Sequence, residues 1–252
     1  MSVVHFPETP DTASRISPGR SRTLADVALL ILADDAETSI AAMLDRIPRT
    51  VAEHLGAVVV SDDASVAATA DVANRWAVAH PHVNVQVLRQ SRPLGVGGSQ
   101  KHCCEFALDI GCSIVVVIDT ARHCAPELIA AMVSPLLQGS AHVVIGRRAG
   151  RAESFRVDAR PGGGRRTLAV ARSWCEGLRV ADWHSGYRSY DLTKLDMSAV
   201  SRLADGADFD TEIVLAAWRW RRRIVEVDIP PLYAVQGRGK AARYSAMSMP
   251  SA

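Results

Sequence analysis

The chain has 252 residues, 48% of them hydrophobic and 22% charged, with 29 Lys and Arg against 27 Asp and Glu for a net charge of +2. That length suits one large domain or two small ones and can bury a core without covalent staples. The near-neutral balance excludes a general nucleic-acid binder, and no apolar run approaches the ~20 residues of a membrane span.

Residues 1–23 mix Pro, Ser, Thr, Arg and Asp without periodicity. They are expected to form a disordered arm, and they lack the apolar stretch of a signal peptide. Order begins at Val27-Ala-Leu-Leu-Ile-Leu32, a continuous apolar run of the kind that forms a strand buried on both faces. Ile40, Met43, Leu44 and Ile47 follow at helical spacing, and Pro48 is expected to end that helix. Ala57–Val60 reads as a second buried strand leading into Ser61-Asp-Asp63, residues 66–79 as a helix, and Val83–Leu88 as a third strand. Gly95-Val-Gly-Gly98 opens a helix over 99–110, Ile114–Ile118 is a fourth buried strand ending at Asp119, and 126–137 is a helix before a fifth strand at His142–Ile145.

The character then changes. Residues 147–166 are rich in Arg and Gly and read as a mobile loop. A helix is expected over 167–178, a polar and aromatic turn at Asp182–Arg188, a helix from Phe209 to about Trp220, and a last strand at Ile224–Ile229. From 236 the chain is a loose basic tail. The strand–helix alternation implies right-handed βαβ units. The expected fold is therefore α/β, one domain over 24–235 with a mostly parallel central sheet flanked by helices. Ligands of such sheets bind beyond the carboxyl ends of the strands. Asp34, Asp35, Asp62, Asp63, Gly95–Gly98 and Asp119 all fall at those ends, which points to one shared pocket.

The cysteines (Cys103, Cys104, Cys112, Cys124, Cys175) are odd in number and lack metal-site spacing. Reduced, buried thiols in a cytoplasmic chain are expected. At the pocket, ionised carboxylates such as Asp62 and Asp63 accept hydrogen bonds from a nucleoside, or cap the next helix. The glycines admit a ligand's phosphate to a helix N-terminus, or form a tight connection only. Asp210 and Glu212 open a helix, where a carboxylate caps or serves as a base.

Taken in order, Ser61-Asp-Asp-Ala-Ser65, Gly95-Val-Gly-Gly-Ser-Gln-Lys101, Ile118-Asp119, Gly146-Arg-Arg148, His184-Ser-Gly-Tyr-Arg188 and Phe209-Asp-Thr-Glu212 resemble a family 2 glycosyltransferase. The likeness covers residues 27–235 and is strongest to the dolichyl-phosphate mannose synthase-like branch. It implies a GT-A fold that binds a nucleotide-diphosphate sugar and transfers the sugar with inversion. It further implies donor contacts from Ala33, Asp35, Asp62, Asp63, Gly97, Gly98, Lys101 and Asp119. Arg148, Arg165, Arg166, His184 and Arg188 match positions on the acceptor and phosphate side, and Asp210 and Glu212 become the catalytic candidates. The implied acceptor is a polyprenyl phosphate, with the chain peripheral at the inner membrane surface, or else a hydroxyl for which Asp210 is the base; nucleic acid is no partner.

The departures from the pattern are equally specific. Where the family has a Glu after the first strand, this chain has Ala36, and its Asp-x-Asp reads Asp119-Thr-Ala121. Alanine offers no oxygen to the Mg²⁺ or Mn²⁺ that the second aspartate ligates. Asp119 with His123 is the remaining metal candidate, and otherwise arginines of the 147–166 loop neutralise the diphosphate. Ala36 and Ala121 also motivate a second reading, an inactive relative retained as a nucleotide-sugar-binding or regulatory module. A nucleotidyltransferase is disfavoured, because no basic glycine-rich loop follows the first strand.

Overall fold

A computed structural model describes residues 21–66, 68–120, 125–148, 178, 180–183 and 185–229, with Arg148 described by its backbone alone. Among the described residues seven strands form one sheet: β1 (Val27–Ala33), β2 (Ala57–Asp62), β3 (Val85–Arg89), β4 (Ile114–Asp119), β5 (Val143–Arg148), β6 (Arg188–Asp191) and β7 (Ile224–Ile229). Their order is β3-β2-β1-β4-β6-β5-β7. β6 runs antiparallel to both β4 and β5, and every other pairing is parallel. The helices are α1 (Ile40–Asp45), α2 (Arg49–Ala52), α3 (Thr69–Ala79), α4 (Gly95–Asp109), α5 (Ile129–Leu137), α6 (Met197–Val200) and α7 (Phe209–Arg219). No helix among the described residues is long and apolar enough to cross a membrane.

The continuous apolar runs become strands because both faces of the sheet are covered. Along β1, Val27, Leu29, Ile31 and Ala33 enter one core with α1, α2, α3 and α5. Ala28, Leu30 and Leu32 enter the other, with α4, α6 and α7. β4 divides in the same way, Ile114, Val116 and Ile118 on the first face, Val115 and Val117 on the second. This is the period-two alternation of a pleated strand.

Several expectations are revised. Pro48 starts a helix as well as following one: it sits at the N-cap of α2 with φ −56°, while α1 has already ended at Asp45. Gly95–Gly98 are the first turn of α4 rather than a turn before it. Arg147 and Arg148 belong to β5, not to a loop. The expected turn at Asp182–Arg188 runs into β6, a strand whose Arg-Ser-Tyr-Asp sequence carries no apolar run. The expected arm is described only at 21–23, where Arg22 donates to Asp191 at 2.5 Å. The rest of the arm, the 149–166 loop, the body of the 167–178 helix and the tail lie outside the described residues.

Candidate functional site

The sheet register brings the strand-end residues together. Ala33 lies opposite Asp62, and Leu32 lies opposite both Ser61 and Asp119. The carboxyl ends of β1, β2 and β4 therefore form one rim carrying Asp34, Asp35, Asp63 and Asp119. Thr120 Oγ1 donates to the Leu32 carbonyl at 3.1 Å, and Asp63 N–H to the Ala33 carbonyl at 3.1 Å, which locks the rim. An open cavity of about 420 Å³ beside it is lined by Ala64, Ser65, Arg89, Gln90 and Ser91.

Adjacent aspartates do different work here. Asp62 is fully buried, its Oδ1 accepting from Ser65 N–H at 2.9 Å and its Oδ2 from Ala70 N–H at 3.2 Å. It shapes the loop between β2 and α3 and opens α3. Asp63, half-buried, turns the other way and accepts from Leu94 N–H at 2.7 Å and Gly95 N–H at 2.9 Å, joining the rim to α4. Asp35 is exposed with φ +45°; its N–H donates to Ser65 Oγ at 3.0 Å and its Oδ1 accepts from Val66 N–H at 3.1 Å. Asp119 is 8% exposed and engaged within the fold.

The glycines of α4 meet protein backbone. A Cβ on Gly97 would lie 2.4 Å from the Ala204 carbonyl oxygen and 2.6 Å from Phe209 Cβ. The N–H groups of Gly97 and Gly98 donate to the Asp205 carbonyl at 2.7 and 3.0 Å. The N-terminus of α4 is thus closed by the turn between α6 and α7. Lys101 holds the same turn, its Nζ 2.8 Å from the Leu203 carbonyl, 3.2 Å from that of Ser201 and 2.6 Å from Asp205 Oδ1. Glu212 completes the tie by accepting from Ala204 N–H at 2.8 Å. Gly97, Gly98, Lys101 and Glu212 therefore join α4 to α7.

Arg188 is corrected from an acceptor-phosphate contact to an internal clamp. It is 1% exposed, and its guanidinium donates to the carbonyls of Ser185 at 2.7 Å, Trp183 at 2.7 Å and Asp210. Three of its five N–H donors are spent on main-chain carbonyls, and at 1% exposure the guanidinium presents no open face to a ligand. Asp210, 5% exposed, receives Gln100 Nε2 at 3.1 Å on Oδ1. Glu226 of β7 steadies the same region, its Oε1 accepting from Ala181 N–H at 2.9 Å and Asp182 N–H at 3.2 Å.

Of the remaining candidates, Arg148 ends β5 opposite Ile229, while His123, Arg165, Arg166 and His184 lie outside the described residues. Burial raises the Cys103 thiol to about 12 and Cys112 to about 11, and pushes Cys104 up further. None of these three offers a thiolate nucleophile.

Sequence reasoning missed Gln100, Asp205 and Glu226. Gln100 alone was signalled, since it shares a helical face with Cys103, Cys104 and Ala107. Of the two metal candidates, Asp119 and His123, only Asp119 lies among the described residues. Asp119 supplies one carboxylate, Ala121 supplies no oxygen, and among the described residues no group of three His, Cys, Asp or Glu side chains is placed to hold a metal ion.

The model of glycosyltransferase-like family 2 matches residues 25–221. An undecaprenyl-phosphate mannosyltransferase of Micrococcus luteus is 30% identical over 186 residues, 68% of this chain and 70% of the relative. A UDP-N-acetylglucosamine–dolichyl-phosphate N-acetylglucosaminyltransferase of Methanococcus voltae is 25% identical over 150 residues, 59% of this chain and 60% of the relative. Among solved structures, glucosyl-3-phosphoglycerate synthase of Mycobacterium tuberculosis superposes with a TM-score of 0.61 at 20% identity, over 84% of this chain and 73% of that one. The same enzyme with Mn²⁺, UDP and phosphoglyceric acid gives 0.59 at 20% identity, over 81% and 69% of the two chains. The sheet order, with its single antiparallel strand, is the GT-A architecture of these structures. From its fold and from a match that spans the rim, α4, β6 and α7, the chain belongs to glycosyltransferase family 2 and is a transferase.

Proposed function

We propose that the protein moves a sugar from a nucleotide-diphosphate sugar to a polyprenyl phosphate, with inversion at the anomeric carbon. The relative that is 30% identical and acts on undecaprenyl phosphate carries this reading. The donor lies along the rim, its nucleoside beside Asp35, Asp63 and the cavity between Ser65 and Gln90, its diphosphate running past Asp119. An acceptor phosphate oxygen attacks the anomeric carbon as the bond to the diphosphate breaks, and a nucleoside diphosphate leaves.

A phosphate monoester has its second pKa near 6 and is already ionised at neutral pH, so this attack needs no strong base. A carboxylate beside the attacking phosphate would repel it. Asp210 is therefore assigned to the sugar, accepting from its hydroxyls and stabilising positive charge developing at the anomeric carbon. Glu212, spent on Ala204 N–H, supports the turn instead. Charge on the departing diphosphate is met by Arg148, Arg165 and Arg166, whose guanidinium forks suit phosphate. The acceptor's lipid chain places the reaction at a membrane surface.

A thermal-shift screen of UDP- and GDP-sugars, each with Mn²⁺, Mg²⁺ or chelator, tests the donor half. A ligand at 100 times its Kd stabilises by about 2.7 kcal/mol, and the expected result is a nucleotide-specific rise in Tm that survives chelator. The matching transfer assay uses undecaprenyl phosphate in detergent and looks for a glycosyl phospholipid. A flat screen with no transfer overturns the reading and leaves a family member that does not take nucleotide sugars.

A further inference from the structure

The polar contacts buried behind the rim converge on Asp210. Gln100 Nε2 reaches its carboxylate at 3.1 Å and Arg188 Nη1 its main-chain carbonyl. Gln100 is 3% exposed, and among the described residues its Oε1 has no hydrogen-bond partner. A buried amide with half its capacity unused is a worse core residue than a leucine of similar size, so packing does not account for it. What the amide does is aim a carboxylate, because only its NH₂ end can face one.

We propose that Gln100 is a positioning residue for Asp210, fixing the direction of the carboxylate while Arg188 fixes the backbone that carries it. The inference rests on the reading of Asp210 as the group facing the sugar. The helices are arranged for this contact. Gly97, three residues before Gln100, lets the start of α7 approach α4, and Lys101, the next residue after Gln100, pins the turn that delivers α7. The charged and titratable groups around the pair are Arg188 and Tyr190 from β6 and Cys104 from α4, while Glu212 on α7 turns away to Ala204 N–H. A displacement of the carboxylate on the scale of an ångström is enough to cost about 100-fold in rate.

The test compares the full chain with Gln100→Leu, Gln100→Glu and Asp210→Asn, using GDP-mannose and UDP-N-acetylglucosamine as donors and undecaprenyl phosphate as acceptor. Gln100→Leu is expected to lower Tm modestly, because the buried Asp210 carboxylate loses a donor, and to leave the donor KM within about threefold well below that Tm, while kcat falls about 10- to 100-fold. Gln100→Glu shares a proton with Asp210 at low pH and donates as the amide does; once both carboxyls ionise they repel. Its activity should approach wild type near pH 6 and fall about tenfold by pH 8. Gln100→Leu at the wild-type kcat, with Asp210→Asn impaired, overturns the proposal and leaves the reading of Asp210 standing. A fall in Tm that parallels the loss of rate, with an unaltered pH profile in Gln100→Glu, assigns Gln100 to the fold alone and also overturns it. Asp210→Asn at the wild-type rate removes the reading of Asp210, and this inference with it.

Discussion

The two faces of the sheet solve the same burial problem with different chemistry. Under α1, α2, α3 and α5 the core is almost wholly aliphatic, with Leu29, Ile31, Val116, Ile118, Ile129 and Leu136 all at 0% exposure. Under α4 and α7 the sheet buries Arg188, Tyr190, Asp210 and Gln100 beside Cys103 and Cys104. Non-directional packing carries most of the first face, with Asp62 and Thr69 buried and hydrogen-bonded at its rim end. On the second, each polar group needs a partner in a fixed direction, since a buried group left unpaired is costly. The aliphatic face holds the fold, and the polar face spends stability on orientation.

Arg188→Met against Leu29→Ala is the strongest way to break that comparison. Removing the guanidinium takes the Arg188 donor from the carbonyls of Trp183 and Ser185 and from the helical carbonyl of Asp210, at about 1 to 3 kcal/mol for each group left unrelieved and about 3 to 5 kcal/mol in all. Leu29→Ala opens a cavity in the aliphatic face and costs about 2 to 5 kcal/mol. Urea unfolding should therefore show losses of similar size. Transfer measured well below both melting temperatures should separate the two, Arg188→Met losing kcat and Leu29→Ala retaining it. Equal retention would mean that the polar face, too, is only packing. Arg188→Lys should not rescue, because one ammonium cannot span three carbonyls held by a planar fork.

The same contrast explains what could be read in advance. β1, β2 and β4 were legible because their burial is aliphatic and leaves continuous runs, and the gathering of acids at the strand ends followed from the parallel sheet. β6 was not legible. Arg188-Ser-Tyr-Asp191 is buried with hydrogen bonds from Arg188 to the Asp210 carbonyl and from Arg22 to Asp191, residues elsewhere in the chain, and hydrophobic periodicity is blind to that. The glycines of α4 announced a close approach but not its object, since the Ala204–Asp205 turn is about a hundred residues away. Asp62 and Asp63 looked equivalent, yet at a strand end successive side chains point oppositely. One went to the β2–α3 loop and the other to α4. Arg188 carried the signature of a phosphate ligand because an arginine's burial cannot be seen in one sequence.

A smaller effect probes the rim. Ala121→Asp supplies the second carboxylate that a divalent site beside Asp119 requires. If the rim otherwise retains the family's geometry, Mn²⁺ should then strengthen nucleotide-sugar binding about tenfold, or about 1.4 kcal/mol. Calorimetric titration with and without metal reads this directly. An affinity indifferent to Mn²⁺ would show that the diphosphate path has been rebuilt around arginine, which sharpens the distinction between rim and core.

The smallest effect lies at the opposite end of the sheet, where neither face meets the rim. His142 precedes β5, and its Nδ1 accepts from Arg223 N–H at 3.3 Å. Partial burial, then the neighbouring Arg223, hold its pKa below the ordinary histidine value. The folded state therefore binds this proton less readily than the unfolded chain does. The stability involved is intact above about pH 6.5 and declines as the pH falls through the lowered folded value. Protonation also converts Nδ1 from acceptor to donor and breaks the bond to Arg223. His142→Gln keeps an acceptor that does not titrate, so Tm should fall less between pH 7 and 5 in the variant than in the wild type. The transfer rate at pH 7.5 should not change. A change there would couple the amino-terminal end of the sheet to the rim, which the polar face as described does not require.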